Sequence, residues 1–256
     1  MGTELLGAEW IKLRSVRSTY LSLAAAAVLV VLVALSVATT TADNWPTMTP
    51  RDRSAFDPVA APLFGAVFAQ LVIGVLGVLA VSSEYSTGLI RTTFATVPQR
   101  RKVLLAKVTV TTALALVAGG VILGASFLIS QAVMANGHGG VSLSDPGVAR
   151  AMAYAVLYLV IVTVLATSLG AIMRATAGAI AVLFTLVFLV PQVLDHLPQD
   201  LRHTLMRFGL QRAAAGAVSL HPAADTFSPT VSMLVCAAYA AVALALALFL
   251  IGRRDA

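Results

Sequence analysis

Residues 83–107 read SEYSTGLIRTTFATVPQRRKVLLAK and separate two long apolar runs, 62–82 and 108–134. The stretch holds one acid, Glu84, then Arg91, the basic run Arg100, Arg101 and Lys102, and finally Lys107. Its first half sets Tyr85, Leu89, Ile90, Phe94 and Val97 at helix-like spacing, and Pro98 stops the pattern. This spacing predicts a short amphipathic helix, too short to span a bilayer and too apolar to be a solvated loop. Two roles fit it. Either it lies on a membrane surface with its basic end against anionic headgroups, or a soluble partner grips and moves it.

Working outward, the composition settles the class. The chain is 59% apolar and 11% charged, with a mean hydropathy of +0.93, whereas about a quarter of the residues in a globular protein are charged. An all-α polytopic membrane protein follows, read as a single transmembrane domain over residues 1–256. The net charge of +6 is distributed as membrane topology distributes it, so it is no nucleic-acid signature. The lone cysteine, Cys236, sits in an apolar run, which excludes a disulfide framework and reads as packing.

Runs long enough to cross roughly 30 Å of hydrocarbon at 1.5 Å per residue fall at about 20–38, 62–82, 106–134, 150–172, 176–194 and 231–251. The third exceeds what a bilayer needs, which predicts a helical extension into water. The fifth carries Pro191 near its end. Ahead of the first span, residues 1–19 place Leu6, Trp10 and Leu13 on one helical face with Glu9, Lys12, Arg14 and Arg17 elsewhere. This predicts an interfacial helix with Trp10 at headgroup depth. A signal peptide is the competing reading. The apolar run 21–38 is longer than the usual 7–15 residues or so, and Glu4 and Glu9 dilute the basic flank.

With the N-terminus in the cytoplasm, that side receives Lys12, Arg14, Arg17, Arg91, Arg100, Arg101, Lys102, Lys107, Arg174, Arg253 and Arg254. The other side receives Arg51, Arg53, Arg150, Arg202, Arg207 and Arg212. The excess satisfies the positive-inside rule. It predicts a multi-pass protein of the cytoplasmic (inner) membrane with both termini cytoplasmic. Of the outer loops, 39–61 is polar and proline-containing, and 135–149 is a glycine-rich turn in which His138 reads as solvated rather than metal-bound. Residues 195–230 predict one or two short helices at the outer interface, from Leu197, Leu201, Leu205 and Phe208 and the patch 213–220.

What is missing narrows the function. No Asp, Glu, Lys, Arg or His falls in the middle of a span, which disfavours proton relays and ion-coupled transport. No HExxH, G-x-S-x-G or G-x-x-x-x-G-K-[ST] occurs, so neither intramembrane hydrolysis nor P-loop nucleotide binding belongs to this chain, and any energy input comes from another polypeptide. Small residues offer close helix packing at Gly74 and Gly77, at Gly120 and Gly124, and at Ala237, Ala241 and Ala245. Among the polar residues inside spans, Gln70, Thr163 and Thr167 are candidates for a substrate path. Ordinary interhelical or backbone hydrogen bonding is the alternative.

An interfacial N-terminal helix, six spans, both ends inside and a helical linker after the second span together resemble the ABC-2-type permeases. These are the membrane subunits of ATP-binding cassette exporters. The family's pattern of an acid, an aromatic and then G-[TML]-[IL]-[RK] is met by Glu84, Tyr85, Gly88, Leu89, Ile90 and Arg91, and its P-x-x-R and terminal lysine by Pro98, Arg101 and Lys107. The opening EWIKLRSVRSTY, Glu9–Tyr20, and the terminal RRDA are similar to actinobacterial members. The resemblance implies two permease copies, as a homodimer or heterodimer, with two separate ATP-binding subunits that hold ATP and Mg. It also implies that residues 83–97 are a coupling helix, with Glu84, Tyr85, Gly88, Ile90, Arg91 and Phe94 toward the ATPase. Glu84 then pairs with Arg91, pairs with basic residues of the N-terminal helix, or caps the helix start. Export of an amphipathic, lipid-like, drug or peptide substrate is the function implied. A non-transporting scaffold or sensor using the same linker is the alternative.

Overall fold

The computed structural model describes residues 2–135, 139–223 and 226–253; His138 and Arg254, weighed above, lie outside them. Every described element is helical, in the order α1 (Gly2–Ser15), α2 (Arg17–Asn44), α3 (Pro50–Ala55), α4 (Ala66–Ser86), α5 (Leu89–Thr96), α6 (Arg100–Met134) and α7 (Val148–Met173). There follow α8 (Thr176–Phe184), α9 (Val190–Asp195), α10 (Gln199–Met206), α11 (Leu210–Val218) and α12 (Pro229–Arg253). Six stretches are long and apolar enough to cross a membrane: α2, α4, α6, α7, α8 continued through α9, and α12. They sit where the apolar runs predict them.

Three boundaries differ from the hydropathy reading, each for a local reason. Helix α6 runs for 35 residues, roughly 52 Å at 1.5 Å per residue. Its excess lies at the basic end, where Arg100, Arg101 and Lys102 form its first turn. Helices α1 and α2 are separated by one extended residue, Val16 (φ −88°, ψ 103°). The fifth span widens into a π turn at Thr185–Leu189, where the Val190 amide reaches back to the Thr185 carbonyl. Pro191 accounts for the widening. It has no N–H for the Val187 carbonyl, and its ring would collide with that carbonyl in a regular turn.

Helix α7 is the centre of the bundle and packs against α4, α6 and α12. The α4–α7 crossing is close because Gly77 and Gly170 face it. A side chain on Gly77 would meet Ala166 Cβ at 3.1 Å, and one on Gly170 would meet the Val78 carbonyl at 2.8 Å. Gly120 and Gly124 have no heavy atom of a neighbouring element within 4 Å of where a Cβ would stand, so that pair joins nothing among the described residues. In α12 the packed register is Met233, Cys236, Ala240, Ala243, Ala247 and Ile251, one step away from Ala237, Ala241 and Ala245. Helix α11 folds back against α12 and α7 and buries Leu210, Ala213, Ala214 and Ala217. It is part of the core rather than an interfacial addition, while α10 keeps Leu201 and Leu205 exposed.

By alternation, the N-termini of α2, α6 and α8 and the C-termini of α4, α7 and α12 share the basic end. At the opposite end Asp57 ties two loops together. Its Oδ1 accepts from the amides of Val59 and Ala60, and its Oδ2 from Ser219 Oγ at 2.6 Å and the Leu220 amide at 2.7 Å. Buried Gln131 adds a second tie, donating to the Pro58 carbonyl and accepting from the Val141 amide.

Candidate docking site at the basic end

Helix α4 ends at Ser86, and Gly88 turns the chain into α5 from the left-handed region (φ 75°). A glycine is required there for conformation and not for space, since among the described residues nothing lies within 4 Å of where a Cβ would stand. The turn lays α5 across the end of the bundle. Ile90 and Phe94, one helical turn apart, point inward and are 4% and 8% exposed. They join Val81 of α4, Val103, Leu104 and Val108 of α6, Ala171 of α7, and Ala247 and Ile251 of α12 in one apolar cluster. Arg100 stacks its guanidinium 5.4 Å from the Phe94 ring, and Arg174 lies 5.1 Å from the Tyr85 ring.

Ile90 and Phe94, expected to face a partner, are placed against the bundle instead. Both are core anchors of α5 and neither is presented outward. The face left open carries Gly88, Leu89, Arg91, Thr92, Ala95 and Thr96, with Leu89 56% exposed. Leu89 is the large apolar side chain exposed on this face, and Gly88 and Arg91 lie on it as well.

Beside α5 lies a cluster of four charges. Lys107 Nζ is 2.7 Å from Glu9 Oε2 and 2.6 Å from Glu84 Oε1, and Lys12 Nζ is 2.9 Å from Glu9 Oε1 and 2.8 Å from the same Glu84 oxygen. Glu9, Glu84 and Lys107 are all buried. Of the pairings open to Glu84, the structure selects basic residues, with Lys12 of α1 joined by Lys107 of α6; Arg91 is not a partner. Burial alone would lower the Lys12 ammonium, but the hydrogen bonds to Glu84 and Glu9 outweigh it and raise its pKa. The cluster links α1, α4 and α6 at one point. Desolvation offsets much of the attraction in a buried ion cluster, whereas removing one partner leaves a buried charge uncompensated.

Sequence reasoning missed Glu9 and Lys107 as partners, although the signal was present. Leu5, Glu9 and Leu13 are spaced by four, so Glu9 lies on the leucine face of α1, and Lys107 shares the register of Val103, Leu104 and Thr111 in α6. An ionisable residue on an apolar helical face needs a buried counter-charge. On α1 the half-buried residues are Leu5, Leu6 and Leu13, whereas Trp10 is 43% exposed and Arg14 and Arg17 are also open.

The substrate-path candidates sit inside the bundle. Thr163 Oγ1 donates to the Leu159 carbonyl and Thr167 Oγ1 to the Thr163 carbonyl, with Thr111 Oγ1 3.3 Å from Thr167 Oγ1. Gln70 is buried on another side of α4 against α7 and α8, at a cavity of only about 30 Å³. The space beside Thr163 is smaller, about 10 Å³. The two threonine hydroxyls are used within their own helix, and neither space is large enough for a substrate.

Residues 5–192 match the family described as ABC-2 family transporter protein. The chain belongs to that family. The match runs from α1 into α9 and therefore includes the charge cluster and α5. No curated protein matches the sequence. Membership makes the chain a membrane permease subunit of an ABC transporter, a system whose ATP-binding part is a separate partner.

Proposed function

We propose that this chain is the permease of an exporter for an amphipathic molecule and that the open face of α5 is where the ATP-binding subunit docks. The basic end then faces the cytoplasm, with both termini there, in the inner membrane. Two permease copies and two ATPase copies make the working unit, and ATP and Mg are held by the ATPases. The observation that carries this reading is the two-sidedness of α5. Its inner face is packed onto α4, α6, α7 and α12, and its outer face is free.

A load on Leu89, Arg91 and Thr92 cannot be absorbed by α5 alone, since Ile90 and Phe94 pass it to four spans. The charge cluster passes it to α1. The movement available is rigid-body tilting of the basic end, which suits a transporter that alternates between packed states. The test is co-purification of the co-expressed ATPase. Leu89→Asp combined with Arg91→Glu abolishes it, while Leu201→Asp at the opposite end leaves it intact. Undiminished ATPase recovery with the α5 variant would refute the docking face.

A further inference from the structure

Gln70 is 2% exposed, and its side-chain Nε2 has no hydrogen-bond partner among the described residues. It borders a cavity of about 30 Å³ between α4, α7 and the fifth span, walled also by Val75, Val162, Ile180 and Val187. The gap is local. One turn along α4, a side chain on Gly74 would meet Leu183 Cδ2 at 2.8 Å, so the two spans are in close contact right beside it. The cavity lies at the π turn, where Val187 is one of the widened residues Thr185–Leu189 and Pro191 has no N–H for the Val187 carbonyl. The Gln70 amide and a residue whose carbonyl lacks its regular donor thus border one small space, at a depth where lipid offers neither a partner. A buried amide is rarely left bare, and ordered water is the usual partner where protein supplies none. The volume suits a water molecule and is too small for a lipid chain.

We propose that this cavity binds one water molecule, which accepts from Gln70 Nε2 and donates to the Val187 carbonyl. The water ties α4 to the π turn. Because it turns in place and changes partners without leaving either group bare, it makes the π turn the point about which the fifth span flexes against α4. Phe184 and Phe188, with ring centres 4.8 Å apart, line the same cavity and screen it from the lipid. Neither the water nor its two partners take part in ATPase docking, which lies at the other end of the bundle.

The experiment uses the full chain, carrying isotope-labelled glutamine, in lipid bilayers, with proton-detected solid-state NMR in which magnetisation starts on water. The Gln70 side-chain signal is assigned by its absence from Gln70→Met. In the wild type that signal receives magnetisation from water despite its burial. Val75→Phe, which fills the cavity and leaves Gln70 in place, abolishes the transfer. Pro191→Ala returns an N–H to the Val187 carbonyl, so the water loses one partner and the transfer falls about fivefold, the equivalent of one ordinary hydrogen bond. A wild-type Gln70 signal that receives nothing from water overturns the proposal without recourse to any variant. Transfer that persists in Val75→Phe places the water outside the cavity and overturns the site. Transfer unchanged in Pro191→Ala overturns the bridge to the π turn.

Discussion

Lys107 shows how much one buried charge decides. Its ammonium is the counter-ion of two carboxylates on different helices, so Lys107→Met leaves Glu9 and Glu84 with only the half-exposed Lys12 between them. The expected loss is about 3–5 kcal/mol, read as a lower unfolding midpoint in detergent. Adding Glu9→Gln and Glu84→Gln to that variant recovers part of the loss, since both buried carboxylates are then neutral and the one charge left, on Lys12, is half-exposed. Asp57 makes a pH-dependent case at the opposite end. Burial alone would raise its carboxyl pKa, but hydrogen bonds from Ala60, Ser219, Val59 and Leu220 outweigh it and hold it below the ordinary 3.8. A depressed carboxyl stabilises in full above its ordinary value, and that stability is lost as pH falls through the folded value. Wild type therefore unfolds at a higher temperature than Asp57→Ala near neutrality, and the gap closes as pH drops below 3.8. Neither arrangement was legible as a pairing. Periodicity puts Glu9 and Lys107 on buried faces, but it does not say which helix supplies the partner, and nothing in 39–61 marks Asp57 as the residue that reaches Ser219.

At the scale of the element, α5 was legible as a helix and illegible as to which face points where. Tyr85 and Ile90 carry the family pattern and, together with Phe94, the apolar spacing, which made them look like partner anchors. The left-handed Gly88 decides otherwise, because the turn it makes sets Ile90 and Phe94 on the bundle and Leu89 outside. Two adjacent substitutions separate these roles. Ile90→Asp forces a carboxylate into the apolar cluster and costs at least about 3 kcal/mol, seen as a lower unfolding midpoint. Leu89→Asp, on the open face, changes stability by no more than about 0.5 kcal/mol and acts on ATPase recovery alone. Gly88→Ala keeps the surface chemistry but strains the turn by about 1–2 kcal/mol, so it weakens docking by misplacing α5. The π turn at Thr185–Leu189 was half visible. Pro191 was noted near the end of the fifth span, and the structure answers it with a wider turn.

For the molecule as a whole, hydropathy was the strongest signal, since each span must satisfy its backbone hydrogen bonds internally and so declares itself by length and apolarity. Helix neighbours were harder to read. Gly77 and Gly170 form the close crossing while Gly120 and Gly124 face open space, although the latter pair has the more familiar spacing. Small residues permit approach without naming a partner. The bundle that results has α7 at its centre and one end where α5, α1 and the four charges meet. The central claim is that the outward face of this end receives the ATP-binding subunit. Photo-crosslinking tests it most directly, with p-benzoylphenylalanine placed singly at Leu89, Thr92, Ile90 and Leu201 in the membrane-embedded complex. The account predicts adducts to the ATPase from Leu89 and Thr92 and none from Ile90 or Leu201. Adducts absent from Leu89 and Thr92, or equally strong from Leu201, would contradict it.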